Sequence, residues 1–119
     1  MSGSVRLTRD AGRLLAMMYK RYLNSIADGI PRRSARYFID SEQIRALFLP
    51  DVDLADVDDL VRELAAADLI LTRYFDNICC DCELAPACIV LMENRFADGA
   101  KEIVEFLKSA KELVLPVLC

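Results

Sequence analysis

The sequence predicts one mainly α-helical domain, spanning 1–119 and carrying a small β-hairpin. Three observations lead there. Apolar residues recur at spacings of three and four over most of the chain, the mark of helices with one buried face. Over residues 69–84 the period drops to two, the mark of paired strands. Finally, 55% of the 119 residues are hydrophobic, whereas disordered chains are poor in such residues and cannot bury enough surface to fold. A chain of this length can bury roughly two-thirds of its unfolded surface, enough for a core without disulfide or metal staples. The longest apolar runs, residues 89–92 and 113–119, fall far short of the ~20 residues a bilayer span needs, and Pro116 breaks the second. No charged-then-apolar leader opens the chain. The expectation is a cytoplasmic protein with no membrane partner.

The first helix is expected over 8–27. Thr8 can cap it, and Ala11, Leu15, Met18, Tyr22 and Ile26 form one apolar stripe that Leu14 and Leu23 widen. Asp28-Gly29-Ile30-Pro31 ends it, because Gly takes the left-handed cap and Pro cannot continue a helix. Arg32, Arg33 and Arg36 are then expected in a loop. A second helix, 41–49, is capped by Asp40 or Ser41, ends at Pro50 and places Ile44, Leu47 and Phe48 on one face. Asp51 or Asp53 caps a third, 53–67, with Leu54, Val57, Leu60, Val61 and Leu64 inward. Aspartates at its start suit the positive end of the helix dipole.

The hairpin, 69–84, has Asp76-Asn77 as its two-residue turn. Alternation along its second strand sets Ile78, Cys80, Cys82 and Leu84 on one face and Cys79, Asp81 and Glu83 on the other. Pro86 then suits the first position of a closing helical segment, 86–115. Ile89, Met92, Phe96, Gly99, Ile103, Phe106, Ala110 and Leu113 follow there at alternating spacings of three and four, a heptad seam. Gly99 costs about 1 kcal/mol against Ala inside a helix, and Asp98 can cap a fresh start. One long helix and two in tandem both satisfy the pattern. Beyond it, residues 113–119 read as an apolar tail.

Leu60-Val61-Arg62-Glu63-Leu64 followed by Ala67-Asp68-Leu69-Ile70 resembles the point where the third helix of a winged-helix domain runs into its wing, with Asp68 where that superfamily commonly has Gly. The stretches Met18-Tyr19-Lys20-Arg21-Tyr22-Leu23, Gly29-Ile30-Pro31, Ala35-Arg36-Tyr37-Phe38 and Met92-Glu93-Asn94-Arg95-Phe96 look like a group of small, uncharacterised winged-helix proteins associated with bacterial prophages. The resemblance covers roughly residues 7–115. It implies a winged-helix (winged helix-turn-helix) fold whose long N- and C-terminal helices form a dimerisation layer. It implies no biochemistry, since function sits in sites rather than folds.

Two absences point away from an enzyme. The chain has no histidine, which removes Ser–His and Cys–His activation and most zinc hydrolases. Its four glycines stand singly, so no Gly-rich phosphate loop exists. Cys79, Cys80, Cys82 and Cys88 form the one cluster that suggests a metal or a thiol sensor. On an alternating strand, however, Cys79 and Cys82 point to opposite faces and cannot converge on one ion. The cluster is therefore read as core, with Cys80 and Cys82 as small buried hydrophobes, and no cofactor is expected.

Charge is unevenly spread. Residues 1–37 hold eight basic and two acidic residues, net +6; residues 38–70 hold two and nine, net −7; residues 71–119 hold five and eight, net −3. Such asymmetry marks an interaction surface or an internal charge match. The third helix, which a DNA-binding winged helix lays in the major groove, is led by Asp51, Asp53, Asp56, Asp58 and Asp59. Lys and Arg supply most of the affinity for DNA, so docking by this helix is disfavoured. Arg32, Arg33 and Arg36, with Arg73 on the wing, are the candidate phosphate contacts of an alternative, DNA-binding transcriptional regulator. Ile89, Met92, Phe96, Ile103, Phe106 and Leu113 make a seam that predicts a homodimer interface. The leading expectation is a non-enzymatic interaction module that binds a protein partner of unknown identity.

Overall fold

Thr8 opens the first long helix in the computed structural model, which describes residues 4–75, 78–109 and 111–116. Strand β1 (Ser4–Arg6) precedes helix α1 (Arg9–Ala27). The Thr8 hydroxyl oxygen accepts from the Ala11 backbone N–H at 3.4 Å, satisfying one orphan donor of the helix start. Both the Thr8 hydroxyl and its N–H donate to the Glu63 carboxylate at 2.8 Å, so the cap is also a tertiary tie. At the other end Gly29 adopts φ +86°, and the N–H groups of Gly29 and Ile30 donate to the Ile26 and Ser25 carbonyls. That is the left-handed termination the sequence predicts.

Pro31 does more than stop α1. It is the N-cap of a short helix, α2 (Arg32–Arg36), so the three arginines expected in a loop lie on a helical turn instead. Strand β2 (Tyr37–Phe38) follows, then α3 (Ser41–Phe48), where Asp40 accepts from the Gln43 N–H at 2.8 Å. Ile44 is buried and Phe48 packs on Phe38 with ring centres 5.9 Å apart. Leu47, expected on their face, is 37% exposed, since this short helix turns only Ser41 and Ile44 fully inward.

Helix α4 (Leu54–Ala66) buries Val57, Val61 and Leu64. Asp68 ends it at φ +61°, with the Leu69 N–H returning to the Leu64 carbonyl at 3.0 Å. A non-glycine residue thus holds the left-handed position at the entry to β3 (Ile70–Phe75). Strand β4 (Ile78–Leu84) pairs antiparallel with β3 on one side and with β2 on the other, giving the order β2-β4-β3. Tyr37, Glu83 and Leu71 form one row across this sheet, and Phe38, Cys82 and Thr72 the next. Between Arg73 and Tyr74 the register shifts: Arg73 faces Asp81 but Tyr74 faces Cys79. Cys80 is the extra residue of a bulge, which turns Cys79 inward and Cys80 outward against expectation, while Cys82 is buried as expected. The turn residues Asp76 and Asn77 and the side chain of Ile78 lie outside the described residues.

The closing segment is two helices, α5 (Pro86–Arg95) and α6 (Ala100–Lys108). Gly99, at φ +75°, caps α6, the place the sequence offers to Asp98. Asp98 donates its N–H to Glu102, whose carboxylate also pairs with Arg95 at 3.2 Å across the break. Helical structure stops short of residue 115. Strand β5 (Val114–Pro116) pairs antiparallel with β1 in a second, two-stranded sheet, Val5 opposite Leu115. The residues expected to form an apolar tail thus return to the body, with Leu113 and Leu115 buried; residues 117–119 and Ala110 lie outside the described residues.

Six helices are therefore present among the described residues, with two small antiparallel sheets including the β3–β4 hairpin. The core gathers on α1, which packs against α2, α3, α4 and α6. Tyr19 stacks between Tyr22 and Phe96, at 6.0 and 6.5 Å, and Phe96 meets the edge of Phe106 at 5.6 Å. Ile89, Met92, Phe96, Ile103, Phe106 and Leu113 are all buried inside the chain. The seam expected at a dimer interface is the domain's own core, because the break at 96–99 folds α6 back onto α1.

Gly12 shows how tightly the last segment docks. A Cβ built there would lie 2.7 Å from the Leu113 Cβ and 3.3 Å from its backbone nitrogen. Helix propensity alone favours Ala over Gly by about 1 kcal/mol, whereas forcing a methyl into a filled contact costs ~1–3 kcal/mol. Gly12→Ala is expected to lower the melting temperature by several degrees. A variant as stable as the parent, or more so, would show that residues 113–116 do not seat on α1.

Candidate functional site

Helix geometry divides the arginines that the sequence groups together. Residues four apart on a helix share a face, so Arg32 and Arg36 line a cleft of about 650 Å³ between α1, α2 and α5. Arg33 belongs to the other side of α2. It joins Arg73, Tyr37 and Leu71 around a second cleft of about 590 Å³ on the outer face of the three-stranded sheet. There the Tyr37 hydroxyl donates to Asp81 at 2.7 Å, a bond that raises the Tyr37 pKa above its ordinary value. Neither Arg33 nor Arg73 has an ion pair among the described residues.

The leading end of α4 presents carboxylates to solvent. Asp51, Asp53, Asp56 and Asp59 are exposed. Asp58 is spent inside the fold: it accepts from the Ser41 hydroxyl at 2.9 Å and from the Arg62 Nε at 2.7 Å. Arg62, the one basic residue of α4, also lays its guanidinium 4.4 Å from the centre of the Tyr74 ring. A cleft of about 500 Å³ adjoins this face. Met17, Phe48 and Leu60 are half-buried along it, and Asp10, Asp56 and Asp59 are exposed beside them. Arg13 reaches the same cleft, but its Nη1 donates to the Leu107 and Ser109 carbonyls at 2.7 and 3.4 Å. Its charge thus serves the negative end of α6, leaving an apolar floor under an acidic rim.

The bulge at Cys80 overturns the geometric argument made for the thiols. Cys79 and Cys82, expected on opposite faces, are both buried on the same one, and the Cys79 thiol donates to the Asp81 carbonyl at 3.2 Å. Cys80, expected inward, is exposed. The thiolate form of both is nonetheless disfavoured by burial. Burial pushes the Cys79 and Cys82 thiols above their ordinary range and Cys88 up to about 12, whereas ligation and nucleophilic attack both need thiolate. Cys88 is buried on α5 and adds a minor upward push to the Tyr19 pKa. Among the described residues no three Cys, Asp or Glu side chains converge to hold an ion. Nor is any described helix long and apolar enough to cross a membrane.

Sequence reasoning does not single out Asp10 or Glu93, each of which lines one of these clefts. The spacing of Arg32 and Arg36 is the one local signal for the cleft between α1, α2 and α5, and it speaks only once their segment is helical. Comparison with protein-family models, with curated proteins and with solved structures finds no match to this chain. The class that the geometry defines is a mainly helical domain with small antiparallel sheets, and three of the clefts among its described residues differ in electrostatic character.

Proposed function

We propose that the chain is a non-enzymatic winged-helix interaction module that binds a protein partner through the exposed face of α4 and the cleft beside it. The winged-helix reading is supported by the order α1, α3, α4, hairpin, and by β2 completing a three-stranded sheet against β4. The observation that carries the function is the acidic rim on an apolar floor. Asp56 and Asp59 stand where a groove-reading helix needs phosphate-neutralising cations, and at contact distance a phosphate would be well inside the ~8 Å screening length of physiological salt. A basic amphipathic segment matches the same surface. With the heptad residues spent inside the chain, a homodimer of this module would pair through other surfaces.

Panning a random peptide display library on the immobilised full chain tests the proposal. Enriched peptides are expected to carry Lys or Arg beside apolar residues at helical spacing, and to lose binding when Asp56→Lys and Asp59→Lys are combined. Peptides that bind that variant equally well, or no enrichment above background, would contradict it.

The alternative, a DNA-binding regulator, keeps one observation in its favour. Arg33 and Arg73 meet at one cleft on the sheet face, away from the α4 carboxylates. Arg32 and Arg36 lie on the other side of α2, so the four residues do not form one phosphate-tracking patch.

A further inference from the structure

The cleft between α1, α2 and α5 has features that neither protein docking nor DNA contact uses. Its volume of about 650 Å³ falls in the range of small-molecule sites. Leu23, Ile26, Ile89 and Phe96 give it an apolar wall, and Arg32 and Arg36 stand together at its edge. The Nε of Arg36 is buried without a hydrogen-bond partner, the one such side-chain atom among the described residues. That atom is too enclosed for a ligand in the cleft to reach, so an anion would meet this guanidinium at its two terminal nitrogens, which carry no hydrogen bond among the described residues.

We propose that this cleft binds a small amphipathic carboxylate, its apolar body against Leu23, Ile26 and Ile89 and its carboxylate on Arg36 and Arg32. A guanidinium fork matches a planar carboxylate with two parallel hydrogen bonds. Glu93 also lines the cleft and offsets one of the two arginine charges, which selects a monoanion over a doubly charged phosphate. Tyr19 lines it too, and its pKa is raised to about 12, chiefly by burial and then by Glu93. Its phenol therefore stays protonated at neutral pH and adds no negative charge against the ligand. The proposal stands apart from the winged-helix reading, since it needs only this cleft.

The test is a titration of the isotope-labelled full chain with decanoate below its micelle-forming concentration, followed by amide NMR. Decan-1-ol serves as the uncharged control and acetate as the control without an apolar body. Decanoate is expected to give saturable shifts at Tyr22, Ile26, Arg36 and Ile89, with decanol binding about tenfold more weakly, the effect of one charge-assisted hydrogen bond. Arg36→Met keeps the apolar stem and removes the unpaired donor, so it should melt no lower than the parent while losing the preference for decanoate. Arg32→Gln, at an exposed position, should weaken decanoate severalfold and leave decanol unchanged. Equal affinity for decanoate and decanol, shifts that map elsewhere, or no saturation would overturn the proposal.

Discussion

Leu64→Asp is expected to abolish the folded state. Leu64 is fully buried on α4 with Val57 and Val61, and its backbone carbonyl receives the Leu69 N–H that starts the hairpin. Truncating such a leucine costs ~2–5 kcal/mol through lost burial and the cavity left behind. An unpaired carboxylate in the same place adds a desolvation penalty of at least that order, and a domain of this kind has only ~5–15 kcal/mol to lose. Circular dichroism should show loss of helix and no cooperative melt at neutral pH, with Leu64→Ala folded but clearly weakened. A Leu64→Asp protein that melts within a few degrees of the parent would show that α4 does not bury this face.

Phe106→Glu is the second large effect, and the structure changes what it should do. Read as a heptad position, Phe106 would sit between two copies, and its loss would split a dimer into helical monomers. In the fold it is buried against Phe96, with the Arg95 guanidinium 5.5 Å from its ring centre. Removing a buried phenylalanine costs ~3–5 kcal/mol. Arg95 already pairs with Glu102, so it offsets the new carboxylate only in part. The expected result is a large drop in melting temperature, smaller than for Leu64→Asp, with no change in the mass of the protein that remains folded. An unchanged melt with a halved mass by light scattering would place Phe106 at a subunit interface instead.

Much of the fold is legible in the sequence because local signals agree with tertiary ones. Thr8, Asp40 and Gly29 act at helix ends as their chemistry suggests, and the apolar stripes of α1 and α4 become core. Sequence and structure part where one residue changes the phase of a pattern. The extra residue at Cys80 swaps the buried and exposed thiols, and no composition signal announces a bulge. Gly99 breaks a seam that otherwise continues through it, and the break decides whether the apolar residues face a partner or α1. Pro31 signals an ending but also begins α2, which is why one basic patch becomes two clefts. The acidic character of the α4 surface needs no tertiary information. Its neighbouring apolar floor does, because Met17, Phe48 and Leu60 come from three different helices.

Fluorescence anisotropy of a labelled random-sequence DNA duplex, titrated with the full chain from low to physiological salt, tests the central claim most directly. An acidic α4 with its one arginine committed to Asp58 and Tyr74 predicts no saturable binding at any salt concentration. Binding that weakens steeply as salt rises, and that disappears when Arg33 and Arg73 are both replaced by Gln, would contradict it and make the chain a nucleic-acid-binding protein.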